Sequence, residues 1–327
     1  VTNIGNWAFD DCGGLKSVTI GSGVTSIGDG AFSHCGGLTS VVIPNSVTSI
    51  GNNAFSNCGG LTSVVIPDSI TSIGNDAFSN CSKLTSAVWN AENCIREGSN
   101  DNWQIFSNCS KLTTITIGDN VKTIPAYAFS GCSGLTNVVI PDNVTSIEEG
   151  AFYTCSGLTS VTIGNSVTSI GAYAFYNCSS LTSIVIPDNV TSISEDAFYN
   201  CSSLTSVTIG NSVTTIENAT FRSCSSLISV TIGNSVKRID NYAFEGCTEL
   251  KNVTIPDSVT SIGYSAFDNC SNLKEVFYKG TASEWKNIDI DSRNSYLYNA
   301  KHYYYSESQP TESGNYWHYV DGKIVIW

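Results

Sequence analysis

The 327-residue sequence predicts a mostly β repeat solenoid, a stack of short turns that share one continuous core. Three observations lead there. Twelve of the thirteen cysteines, Cys12 through Cys270, stand on one ladder with steps of 23 residues and a single step of 28, between Cys81 and Cys109. Phenylalanine keeps the same step three residues earlier, from Phe9 to Phe267, and leucine three residues later, from Leu15 to Leu273. Finally, no 23-residue unit is long enough to bury its own apolar set, so each must cover its neighbour.

Each unit reads L-x-x-V-x-I-(P/G)-(D/N)-(S/N)-V-T-S-I-G-x-x-A-F-x-x-C-x-x. Val41 and Ile43 are two apart and point to one face of a short strand, with Leu38 turned inward just before it. Pro44-Asn45, or Gly164-Asn165 and Gly210-Asn211 in other units, breaks the strand, because Pro lacks the amide donor and Gly and Asn tolerate positive φ. Val47 and Ile50 belong to a second extended or turn-like segment. Ala54, Phe55 and Cys58 fall at i, i+1 and i+4, which suits one helical turn.

This motif, L-x-x-V-x-I followed by V-T-S-I-G-x-x-A-F-x-x-C, resembles the BspA-type leucine-rich repeat, a family of chiefly bacterial surface proteins. The resemblance covers residues 1–278 as about twelve units. It implies a right-handed curved superhelix with a parallel sheet on the concave face and short helical turns and extended segments on the convex face. It also implies adhesion or protein binding outside the cell. Where the wider leucine-rich consensus has Asn or Cys three places after the third apolar residue, this chain has Ser46, Ser69, Asn120, Asn143 and Asn189, so a ladder of buried amides is only partial.

Val1 aligns with the Val47 slot. The first unit is thus truncated, and the start reads as a boundary with more protein upstream. The 28-residue step adds five residues near 90–103, between Trp89 and Trp103, and carries the off-phase Cys94. Its two tryptophans are candidates for a contact patch, or Trp replaces lost aliphatic packing. After Tyr278 the period ends. Residues 279–327 hold three of the six tryptophans and seven of the fifteen tyrosines, and read as an aromatic-rich C-terminal cap. A short helix is expected near Thr281–Ile288, and Asp321-Gly322 between alternating apolar runs signals a terminal β-hairpin.

The formal net charge of −13 argues against nucleic acid, which is held by clustered cations. No run approaches the ~20 apolar residues that span a bilayer. Cysteines in register on parallel rungs have parallel Cα–Cβ vectors about 4.8 Å apart, which does not suit a disulfide, so twelve buried core thiols are expected. No close Cys pair suggests zinc, and no metal or other cofactor is expected. Catalysis needs residues that occur once with a partner, whereas this chain has three scattered histidines, His34, His302 and His318, and no catalytic motif. Asp68, Asp119, Asp142, Asp188 and Asp257 share a slot and read as turn formers.

Because strand side chains alternate, the slot between Val and Ile must face out. It places Val42, Val65, Val88, Thr116, Val139 and Thr162 on a candidate binding surface, with Trp89 and Trp103 as further candidates. Two readings stay open. One is a non-enzymatic adhesion module, extracellular or on the cell surface of a bacterium, that binds host or neighbouring-cell protein. The other is a glycan-recognition or spacer region of a larger surface enzyme.

Overall fold

A computed structural model describes residues 1–92, 94–96 and 104–327. The chain forms two compact units, Val1–Leu181 and Thr182–Trp327, and each is a parallel β-solenoid with very little helix.

In the first unit the fully described rungs have three sides. The V-x-I segment gives the long strands, such as Ser63–Ile66, with the alternating burial that the motif demands: Val64 and Ile66 are buried and Ser63 and Val65 exposed. The T-S-I segment gives two-residue strands that pair in register, as Asn3–Ile4, Ser26–Ile27, Ser49–Ile50, Ser72–Ile73 and Ile95–Arg96. Threonine doubles this ladder. Thr48 and Thr71 each send both backbone N–H and hydroxyl to the carbonyl one rung back, at 2.8–3.2 Å.

The third side departs from the expected helical turn. Asn53 and Asn57 have φ of 53° and 57°, and the same two slots four residues apart are left-handed in rung after rung (Asp76 and Asn80, Tyr173 and Asn177). A residue in that region ends right-handed helix, and Asn, Asp and Gly occupy it most readily. The segment is instead a chain of i→i−3 turns, Ala54 to Gly51 and Ser56 to Asn53, that also bonds to its neighbours. The N–H groups of Asn53, Phe55 and Asn57 donate forward to Asn75, Ala77 and Ser79, and the carbonyls of Asn52, Ala54 and Ser56 accept from Gly30, Phe32 and His34.

Inside lie the phenylalanines as a stack. Successive rings from Phe9 to Phe78 are 5.0–5.2 Å apart and nearly parallel. Each fully buried side chain of this kind contributes about 1.5–3 kcal/mol through lost water contact. The cysteines stand beside them as free thiols. Their packing has a polar purpose: the Cys58 thiol donates to the Phe32 carbonyl at 3.2 Å, and Cys81 to Phe55 at 3.3 Å, one rung back each time. Burial pushes the Cys58 and Cys155 thiols up to about 12. Cys12, on the first rung, is exposed and is the exception to the buried set.

The long strands do not form the single unbroken sheet that the regular period implies. Ser17–Thr19 pairs with Ser40–Val42; Ser63–Ile66, Ser86–Trp89 and Thr114–Ile117 form a second section; Asn137–Ile140 and Ser160–Ile163 pair in a third. The stack of side chains runs on where the ladder of backbone bonds stops.

In the second unit Ser206–Thr208, Ser229–Thr231, Asn252–Ile255, Glu275–Tyr278 and Lys301–Tyr305 are parallel neighbours. Sequence periodicity ends at Tyr278, yet strand pairing continues. Asp289–Ile290 pairs with Ser261–Ile262, and Lys301–Tyr305 with Glu275–Tyr278, so residues 279–305 make one further turn with different residues. A helix at Ala282–Trp285 starts with a capping box between Thr281 and Glu284. Tyr316–Val320 and Lys323–Ile326 close the chain as an antiparallel hairpin. Asp321 and Gly322, at φ 50° and 73°, supply the positive dihedrals of its two-residue turn.

The last regular rung is capped. Ser265 donates to the Ser292 carbonyl, Phe267 to Oδ1 of Asn294 at 2.9 Å and Asn269 to Oδ1 of Asp268. Asn294, 1% exposed, also donates to the carbonyls of Gly263 and Asp291. No described helix is long and apolar enough to cross a membrane.

Candidate interaction surface

The outward slot of the long strands is where apolar side chains meet solvent. Val42 is 70% exposed, Val65 49% and Val139 55%, while the inward Val64 and Val138 are buried. Thr116 and Thr162 are exposed in the same slot, and Val88 is half-buried. Val65, Val88 and Thr116 are direct cross-strand neighbours. Val42 stands apart from Val65 across the first break in the sheet.

Both breaks open grooves. One of about 480 Å³ is lined by Val41, Val42, Ile43, Val65 and Pro67, with Asp68 at its rim. Another of about 450 Å³ is lined by Thr114, Thr116, Ile117, Val139 and Pro141. The surface offers apolar contact edged by threonine hydroxyls and turn amides, with the Asp68 and Asp119 carboxylates at the first groove.

Two other candidates fare differently. Trp89 is not a surface residue. It takes the inward slot of Ile66 and Ile117, is fully buried, and meets the Phe129 ring edge-on at 5.6 Å. Its indole fills core volume, and the phenylalanine stack widens to 6.1 Å between Phe106 and Phe129. Trp103 lies outside the described residues.

The acidic slot behaves as turn chemistry. Oδ1 of Asp142 accepts from the Asn165 N–H at 2.7 Å, and Oδ1 of Asp188 from Asn211 at 2.8 Å. In the buried-amide slot, Nδ2 of Asn143 donates to the carbonyls of Gly118 and Val121, Ser69 donates to Val47, and the Oγ of half-buried Ser46 is out of water with no hydrogen-bond partner. His34 lies on the surface against Asp10 and Asn57. His302 donates to the Leu297 carbonyl, and burial lowers its pKa.

In the second unit Val185 is 64% exposed, but the outward slot changes further along. Thr254, in the slot expected to face solvent, is 9% exposed, because the next residues in register are Phe277 and then Tyr303. Phe277 stacks on Tyr303 at 5.2 Å and meets Trp317 edge-on at 5.7 Å, with Trp317 fully buried. The Trp317 indole N–H donates to the Tyr278 carbonyl at 3.0 Å. The tail aromatics pack against one another on this face.

Sequence reasoning missed the threonine ladders, the thiol-to-carbonyl bonds and the Asn294 cap. The first two had a signal, since Thr and Cys recur at fixed slots; the third had none, because Asn294 lies beyond the period.

Among curated proteins none matches this chain. The chain is similar to a leucine-rich repeat protein from Bacteroides ovatus, at 28% identity over 93% of this chain and 87% of that one, with a TM-score of 0.55. It shares its fold with a leucine-rich repeat protein from Eubacterium ventriosum, at 24% identity over 94% and 87% of the two chains and a TM-score of 0.50. A family model described as the BspA type leucine rich repeat region matches residues 1–99, 102–228 and 168–296. With the period, the three-sided rung and this match in hand, the chain belongs to the BspA-type leucine-rich repeat family.

Proposed function

We propose that the protein is a non-enzymatic interaction module of the bacterial cell surface, binding a protein partner through the outward slots and grooves of the long-strand face. The carrying observation is the exposure of Val42, Val65 and Val139 at 49–70%, on a face otherwise lined by small polar residues. Soluble proteins seldom leave such apolar side chains grouped beside open grooves without a partner. Surface display rests on family membership. A glycan ligand has less support, because sugars stack on exposed aromatic faces and this face carries valine.

The test replaces Val42, Val65 and Val139 with Lys together. Binding to matrix proteins and to other bacterial cells is measured beside circular dichroism and thermal unfolding. The expected result is at least a tenfold loss of binding by a folded variant. Undiminished binding by the folded triple variant removes this face as the site.

A further inference from the structure

Four successive corners that follow long strands in the second unit read Gly210-Asn211, Gly233-Asn234, Pro256-Asp257 and Lys279-Gly280. Corners are tied by side-chain oxygens: Asp188 accepts from the Asn211 N–H at 2.8 Å, and Asn211 from the Asn234 N–H at 3.0 Å. Lysine replaces Gly or Pro at the fourth corner. Its backbone N–H bonds to the Ile255 carbonyl, but its side chain runs back past the Asp257 corner, and Nζ donates to Oδ1 of Asn234 at 2.7 Å.

The amide and the amine are therefore held together across three rungs, with a carboxylate-bearing corner between them. The carbonyl bond is about 1.23 Å, so the Asn234 Cγ lies within about 4 Å of Nζ, close to the separation of a near-attack arrangement. Lys279 is half-buried against a groove of about 540 Å³, with its Nζ 5.9 Å from the centre of the Tyr319 ring. Burial lowers the pKa of the ammonium, while the negative Asp257 opposes that. A less protonated amine is a better nucleophile.

We propose that Lys279 and Asn234 are the site of a self-formed intramolecular isopeptide bond. The chemistry balances without oxidant or cofactor. The Lys279 ammonium loses a proton to solvent, and the freed lone pair attacks Cγ of Asn234. The Nζ–Cγ bond forms, the Cγ–Nδ2 bond breaks, and one further proton passes from Nζ to Nδ2, which leaves as ammonia. One amide replaces another, and the chain is closed into a loop from Asn234 to Lys279.

The decisive measurement is the intact mass of the full, folded chain. It should lie about 17 Da, one ammonia, below the sequence mass, with fragment ions that join the Asn234 and Lys279 peptides. Lys279→Arg keeps a cation and a donor but cannot form the bond, and its mass should return to the sequence value. An unchanged wild-type mass overturns the proposal. So does a loss of about 17 Da that persists in Lys279→Arg, because that marks ring closure of Asn234 onto its own backbone. Should a variant fail to fold, the wild-type mass and fragments still decide.

Discussion

The first and last regular rungs use the same residues to opposite effect. Phe9 is 43% exposed and Cys12 is exposed, while Phe267 and Cys270 are fully buried. Within the first unit the contrast appears one step away, since Phe32 and Cys35 are also fully buried. Burial in this fold is therefore a property of the pair of neighbours and not of the rung. At Phe267 the missing regular neighbour is replaced by Asn294 and the 279–305 turn. Stability of a repeat stack is a sum of such interfaces, so the two rungs should respond unequally to the same substitution.

The largest expected effect breaks that comparison outright. Phe267→Ala should destabilise the second unit by about 3–5 kcal/mol, as truncation of a packed core ring does, and Phe9→Ala should cost the first unit about 1 kcal/mol. Denaturant midpoints followed by local fluorescence or hydrogen exchange in each unit check this. Equal losses would mean that Phe9 is covered in solution.

Alkali should act next, through the thiols. Burial lifts Cys58, Cys155, Cys224 and Cys270 from 9.0 to about 12 in the folded chain. Above pH 9 the unfolded chain releases protons that the folded chain keeps, so the thiols' contribution is whole below pH 9 and is lost toward pH 12. Each loses about 1.4 kcal/mol per pH unit over that window. Melting temperatures at pH 7, 9 and 10.5 should be level at first and then fall. Labelling with a thiol reagent at pH 8 should modify Cys12 quickly and Cys270 only on unfolding.

Asn294 sharpens the comparison at smaller scale. Asn294→Ala removes the acceptor for the Phe267 N–H, takes one of two donors from the Gly263 carbonyl and leaves the Asp291 carbonyl without its donor, at a cost of about 1–3 kcal/mol. Asn294→Asp keeps the acceptor and should cost less. The smallest effect is a gain: Ala219, at φ 52°, sits where glycine carries no Cβ penalty, and Ala219→Gly should stabilise by about 0.5–1 kcal/mol.

What the sequence made legible was whatever the period repeats. Phe55, Cys58, Val64 and Ile66 are core residues as their spacing requires, and the outward position of Val42, Val65 and Val139 follows from strand alternation. The A-F-x-x-C segment was misread as helix because apolar spacing alone does not report φ. Asn53 and Asn57 were the available signal, yet Tyr127 and Tyr173 fill the first slot as well and hide the pattern. Trp89 stayed open between contact patch and core filler because tryptophan in an insertion is ambiguous until its register with Ile66 is known. The sheet breaks beside Val42 and Val139 leave no trace in the motif.

The forward-donating turns have an electrical consequence. In each rung the peptide units 52–53, 54–55 and 56–57 point the same way, carbonyl toward the preceding rung and N–H toward the next. Repeated through a stack, three columns of aligned peptide moments add head to tail, much as those of an α-helix do, so the forward end carries partial positive charge. At that end in the second unit stand side-chain oxygens, those of Asn294 and Asp268, in the position an N-cap takes on a helix. Each such unit is thus a polarised rod whose two faces prefer opposite charge, whatever residues decorate them.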